Sequence, residues 1–200
     1  MARANRKFVQ AIKRARKLNE NSKKIRDDEI RLDNIRMAVV LSVAAMDNYF
    51  TSKFRDLIVK YLDEYDAGED LIVLLEKAGL NTRTALELLW MERPMRRIGT
   101  LIERYFDRYT TQRFDVIDNL FKSIGIQNLC ENAERKTGRK TLRSSITRLV
   151  EKRHFIVHDA DINSHAKPRN IDADRIERRI NDLEKFVLAC DEILDNKVYG

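Results

Sequence analysis

Apolar residues recur every three or four positions along most of this chain, the spacing that lines one face of an α-helix. Through residues 31–65, Leu32, Ile35, Val39, Val43, Met46, Phe50, Phe54, Leu57, Tyr61 and Tyr65 follow this step with no Gly or Pro between them. One long helix of about ten turns is predicted there. Gly68, in an acidic turn spanning 66–70, stops it. Shorter helices are predicted at 71–78, ended by Gly79, then at 82–91, at 94–109 behind Pro94, and at 114–122, ended near Gly125. Gly138 and Thr141 mark a boundary, after which Leu142, Ile146, Leu149, Val150, Ile156 and Val157 outline a helix ending near His158. A polar connection at 161–170 contains Pro168. Beyond it Ile171, Ile176, Ile180, Leu183, Phe186, Val187, Cys190 and Leu194 predict a closing amphipathic helix.

Composition agrees with an all-α fold. Two prolines and six glycines in 200 residues, with 36% charged, favour long helices over turn-punctuated strands. With 43% hydrophobic residues the chain can bury one sizeable core, so residues 1–200 are read as a single domain without repeats or low-complexity tracts. Two cysteines, Cys130 and Cys190, are too few for a disulfide framework and lack zinc-site spacing. A reducing, cytoplasmic setting is expected, and no cofactor is predicted. The basic N-terminus is not followed by an apolar signal-like region. The longest apolar run, 37–46, is too short to span a bilayer, so neither export nor membrane insertion is expected.

Charge changes the picture at one end. Residues 1–26 carry ten Lys or Arg against one Glu, a formal +9, which leaves −2 for the other 174. Phe8, Ile12, Ala15 and Leu18 give this segment one apolar stripe, with basic residues on its other faces. A basic amphipathic helix is predicted, with Lys13, Arg14 and Lys17 as candidate RNA contacts, because cations that neutralise phosphates release counterions. A solvated helix face explains the charge run equally well.

On the helix ending near His158, steps of about 100° per residue place Arg153 at the centre of the stripe made by Leu142, Ile146, Leu149 and Val157. An arginine there must pair with an acid, line a polar cleft or meet an anionic ligand. Asp47, which interrupts the apolar pattern of the long helix, is a candidate salt-bridge partner. Five residues after Arg153 comes His158, the side-chain type best suited to proton transfer near neutral pH. A guanidinium and an imidazole are what in-line RNA cleavage uses. A base takes the 2′-hydroxyl proton, a cation stabilises charge at phosphorus, and an acid protonates the departing 5′-oxygen.

The segment 149–159, LVEKRHFIVHD, resembles the R-x4-6-H signature of HEPN domains, with Arg153, His154 and His158 in its three places. It looks most like the RiboL-PSP-HEPN branch. The upstream stretch 40–50, VLSVAAMDNYF, resembles the family's long early helix, with Asp47 in its acidic position. The resemblance implies a HEPN-like helical bundle whose motif helix, near the C-terminal third, lies at a two-fold interface. It also implies metal-independent endoribonuclease activity in a homodimer, with catalytic roles for Arg153, His158 and His154 and a supporting role for Asp47. Toxin–antitoxin or phage-defence roles go with such activity, so an antitoxin or defence-system partner is a further expectation. Other members only bind nucleic acid or protein partners. One toxin branch has a modified tyrosine two residues after the histidine; Ala160 stands there, so that regulation is not expected.

Other readings of the same residues exist. His154 and His158 have the i, i+4 spacing of a zinc pair that Asp159, Asp161 or His165 could complete, but Phe155 replaces the metalloprotease glutamate. Trp90, Tyr105, Phe106 and Tyr109 could stack on bases, although aromatics at helical spacing, like Met46, are read here as core. Arg139 with Lys140, and Lys167 with Arg169, flank the motif helix and could guide RNA or simply face solvent.

Overall fold

The computed structural model describes residues 3–106 and 110–199, and the described residues form nine helices and no strand beyond an isolated bridge between Ile162 and Pro168. They are α1 (Arg3–Ser22), α2 (Asp28–Glu64), α3 (Glu69–Lys77), α4 (Thr82–Leu88), α5 (Pro94–Phe106), α6 (Phe114–Lys122), α7 (Leu129–Thr137), α8 (Leu142–Asp159) and α9 (Ala173–Tyr199). The all-α expectation holds. No helix among the described residues is long and apolar enough to cross a membrane.

The long helix α2 organises the bundle. It starts at Asp27, whose carboxylate accepts the Ile30 N–H at 3.0 Å, and acidic Asp28 and Glu29 complement the first turn. Its apolar step of three and four puts Ile35, Val39, Val43, Met46, Phe50 and Phe54 in the core, and α1, α5, α6, α8 and α9 pack around it. Edge-to-face pairs join Phe50 to Tyr49 and to Phe121, and Phe54 to Phe106, each worth about 0.5–1.5 kcal/mol beyond area burial. Phe8, Ile12 and Ala15 bury the predicted stripe of α1, with Leu18 half-buried.

A buried ionic cluster pins α9 to α2. Lys53 Nζ lies 2.6 Å from both Asp191 and Asp195, Tyr49 donates its hydroxyl to Asp191 at 2.7 Å, and Asn5 of α1 donates to the same carboxylate. Burial alone would push Asp191 up, yet the hydrogen bonds from Lys53, Tyr49 and Asn5 outweigh it and hold the carboxyl below its usual range. Lys53 is likewise raised, its two carboxylates outweighing burial.

Three expectations change. The helix predicted over 82–91 ends at Leu88, and nothing on it is buried. Trp90, read as core, is 90% exposed, beside exposed Leu86, Leu89 and Met91, because no other described element covers that face. Tyr105 is half-buried and Phe106 and Met46 are buried, whereas Tyr109 lies outside the described residues. Helix α7 was not predicted: its sequence is mostly polar, but Leu129, Cys130 and Ala133 anchor it and Gly138 ends it in the left-handed conformation, φ 70°. The two cysteines are free and buried, and burial pushes both thiols up.

Candidate active site

Helix α8 is fixed from three sides. At its start Glu134 of α7 accepts the Arg143 backbone N–H at 3.1 Å and its guanidinium at 2.8 Å, supplying a cap that Thr141 does not. In its first turns Ser145 donates to the buried Asp182 of α9 at 2.6 Å. At its end Ala160 and Asp161 take left-handed φ values of 50° and 55°, turning the chain so that the Asp161 carboxylate enters the protein. That carboxylate is fully buried. Arg36 Nε of α2 donates to it at 3.0 Å and Lys152 Nζ of α8 at 2.7 Å, while Arg36 also reaches the Arg169 carbonyl at 2.9 Å. The two cations share one anion and lock the end of α8 onto α2.

The candidate residues fall on two sides of α8. Leu142, Ile146 and Leu149 are buried, but Val157 is 48% exposed, so the apolar stripe expected to enclose Arg153 ends before it. Half-buried Arg153 instead enters a cleft of about 290 Å³ with Asp47, Asn48, Ser52, Arg55, Glu103 and Gln112. Among the described residues it makes no ion pair. Asp47 is not its salt-bridge partner. The carboxylate accepts from the Thr111 N–H at 2.6 Å, the Thr111 hydroxyl at 2.7 Å and the Gln112 amide at 3.0 Å. It therefore ties Thr111 and Gln112 to α2, and with Glu103 paired to Arg55 at 2.9 Å neither carboxylate of the cleft is in an ion pair with the guanidinium.

His154 and His158 are exposed, with ring centroids 4.4 Å apart on the outer face of α8. The structure brings these two together, and brings Arg153 and Asp47 to one cleft. His158 follows Arg153 by five positions, about 140° around the helix and about 7.5 Å along it. Phe155 and Val157 are exposed on α8 next to the histidines in sequence, Ile162 is exposed just beyond the helix, and the Arg169 guanidinium sits 4.7 Å over the Phe155 ring. His165 is exposed, and Asp161 is committed to Arg36 and Lys152 rather than to the histidines. No group of three His, Cys, Asp or Glu placed to hold a metal occurs among the described residues.

The RiboL-PSP-HEPN family profile matches residues 10–196, nearly the whole chain. The chain belongs to the RiboL-PSP-HEPN family. A nucleic-acid-related function goes with this HEPN domain. No curated protein and no solved structure matches it.

Lys13, Arg14 and Lys17 are exposed on α1 and make no ion pair among the described residues, whereas Arg16 turns inward to Glu177 and Glu184 of α9, at 3.3 and 2.6 Å. Sequence reasoning missed Arg36, Lys152 and Asp161 as the anchor of α8. Arg36 carried a signal, since it falls between Leu32 and Val39 on the buried side of α2 and so required a buried partner.

Proposed function

We propose that this RiboL-PSP-HEPN protein is a metal-independent endoribonuclease that works as a homodimer through Arg153 and His158. The carrying observation is Arg153 itself, a cation with no ion pair among the described residues, in a polar cleft whose carboxylates are engaged elsewhere, Asp47 by Thr111 and Gln112 and Glu103 by Arg55 at 2.9 Å, on the helix whose outer face presents His154 and His158. Such a guanidinium suits a phosphate, which it can bind in bidentate fashion.

In this reading one imidazole removes the proton of a 2′-hydroxyl, and the 2′-oxygen attacks the adjacent phosphorus. Arg153 stabilises the charge gathering on the non-bridging oxygens. The bond to the 5′-oxygen breaks, and an imidazolium supplies the proton that this oxygen takes up. A 2′,3′-cyclic phosphate and a 5′-hydroxyl result. One chain offers His158 with His154 as a weaker second, and the distance around α8 between Arg153 and His158 favours a site completed by a second copy. Exposed Phe155 and Val157 on the motif helix, with exposed Ile162 just beyond it, would give a two-fold interface apolar surface to bury. Lys13, Arg14 and Lys17 would add affinity for the same RNA. A toxin or phage-defence role, with an antitoxin or defence-system partner, would fit such an activity.

End-group analysis of the products tests this reading. Cyclic phosphate and 5′-hydroxyl termini, with 2′-O-methyl RNA left intact, are expected. Products ending in a 5′-phosphate, or cleavage of 2′-O-methyl RNA, would overturn it.

A further inference from the structure

We propose that the groove between α8 and α9 is a second polyanion site, in which Arg148, Arg175 and Arg179 hold the phosphate backbone of the RNA strand away from the scissile bond. This rests on the ribonuclease reading for its ligand. Arg175 and Arg179 are an i, i+4 pair on α9, and Arg148 and Lys152 are an i, i+4 pair on α8, so each helix stacks two cations along one face. The helices pack together, and a cleft of about 420 Å³ is lined by Lys152, Asn170, Asp172, Arg175 and Arg179.

These cations are not neutralised in the same way as others on the molecule. Lys152 is paired with Asp161 at 2.7 Å. The side chains of Arg148, Arg175 and Arg179 make no ion pair among the described residues. Asp172, the carboxylate lining the cleft, accepts the Arg175 backbone N–H at 2.6 Å and so caps the start of α9. Arg179 is held below the ordinary guanidinium range, first by burial and then by the charges of Arg175 and Arg148, with Glu151 pulling weakly the other way. Like charges gathered around a cleft are relieved by an anion lying between them.

Position links this groove to the motif. Steps of about 100° around α8 bring first Arg153, then His154 and His158, then Phe155, then Arg148 and Lys152. The histidine face thus lies between the Arg153 cleft and the α8–α9 groove, and a strand crossing the histidines runs from one into the other.

The test uses the full chain and a fluorescein-labelled 2′-O-methyl RNA, which has no free 2′-hydroxyl to attack. Anisotropy titrations across a salt series compare wild type with Arg148→Gln/Arg175→Gln, both exposed positions, and with a triple variant adding Arg179→Met, which keeps the apolar stem. Loss of three phosphate contacts should weaken binding at least tenfold at 0.1 M salt and lower the slope of log affinity against log salt by about two. The double variant should lose an intermediate amount, with an unchanged or higher Tm. An unaltered salt slope in a folded double variant would overturn the groove. Because the probe is not cleaved, failure of the ribonuclease reading leaves this readout intact.

Discussion

Arg153 and Asp47 line the same cleft, yet the Asp47 carboxylate is taken up by Thr111 and Gln112, Glu103 is paired with Arg55, and the guanidinium makes no ion pair among the described residues. In the proposed reading the arginine serves a ligand instead of the fold. Arg153→Ala should leave the melting temperature within about 2 °C of wild type, as for substitutions that break no buried partner. Asp161→Asn should behave oppositely, because it strips Arg36 and Lys152 of their shared anion. Removing one member of a buried ionic group costs about 3–5 kcal/mol. Paired thermal melts measure both. A large loss of stability in Arg153→Ala would assign that residue to the scaffold.

The Lys53 cluster sets an acid limit. Asp191 is depressed, so its contribution is present above the unfolded carboxylate value of about 3.9 and is lost as pH falls through the folded value. Lys53 is raised, so its contribution is present at neutral pH and is lost only as pH climbs above the ordinary lysine range. Unfolding free energy should thus drop below pH 4. Lys53→Met should destabilise at pH 7 by about 3–5 kcal/mol, and Lys53→Met/Asp191→Asn by less. Denaturant titrations across pH check the order; a double variant as unstable as the sum of the single ones would contradict the coupling.

Charge reversal at Lys13, Arg14 and Lys17 should weaken RNA binding and flatten its salt dependence without altering where the RNA is cut. These side chains face solvent on α1, apart from the motif helix. Footprints and anisotropy at two salt concentrations are the measurement. An unchanged slope would give the basic helix to another partner.

If two copies build one site, heterodimers of tagged wild type and His158→Ala should retain well under half of wild-type activity. Subunit exchange followed by affinity purification yields them. Half activity, or full activity in a monomer by sedimentation, would mean that each chain works alone.

Much of the bundle was legible because burial writes a period into the chain: α2 announces itself through residues such as Val39, Val43 and Phe50, all buried. Helix α7 did not, since only Leu129, Cys130 and Ala133 of its nine residues are buried and its start depends on Asp118 accepting the Cys130 N–H at 2.8 Å. Trp90 misled for the complementary reason: periodicity shows which side could be covered, and only tertiary packing shows whether anything covers it. At the candidate site the motif located α8, His154 and His158. It did not disclose that Thr111 and Gln112 would occupy Asp47, or that Asp161, 125 positions from Arg36, would be its buried counterion. Such pairings depend on which helices meet, and no local pattern encodes that.

The most direct test of the central claim is RNA cleavage in EDTA by wild type, Arg153→Ala and His158→Ala purified side by side. Wild type should cleave without added metal. Each variant should be folded and slower by about 10²–10⁴-fold, the usual cost of losing an acid–base group or a transition-state cation, with His154→Ala less affected. Cleavage that EDTA abolishes and magnesium restores, or equal rates in wild type and His158→Ala, would contradict the account.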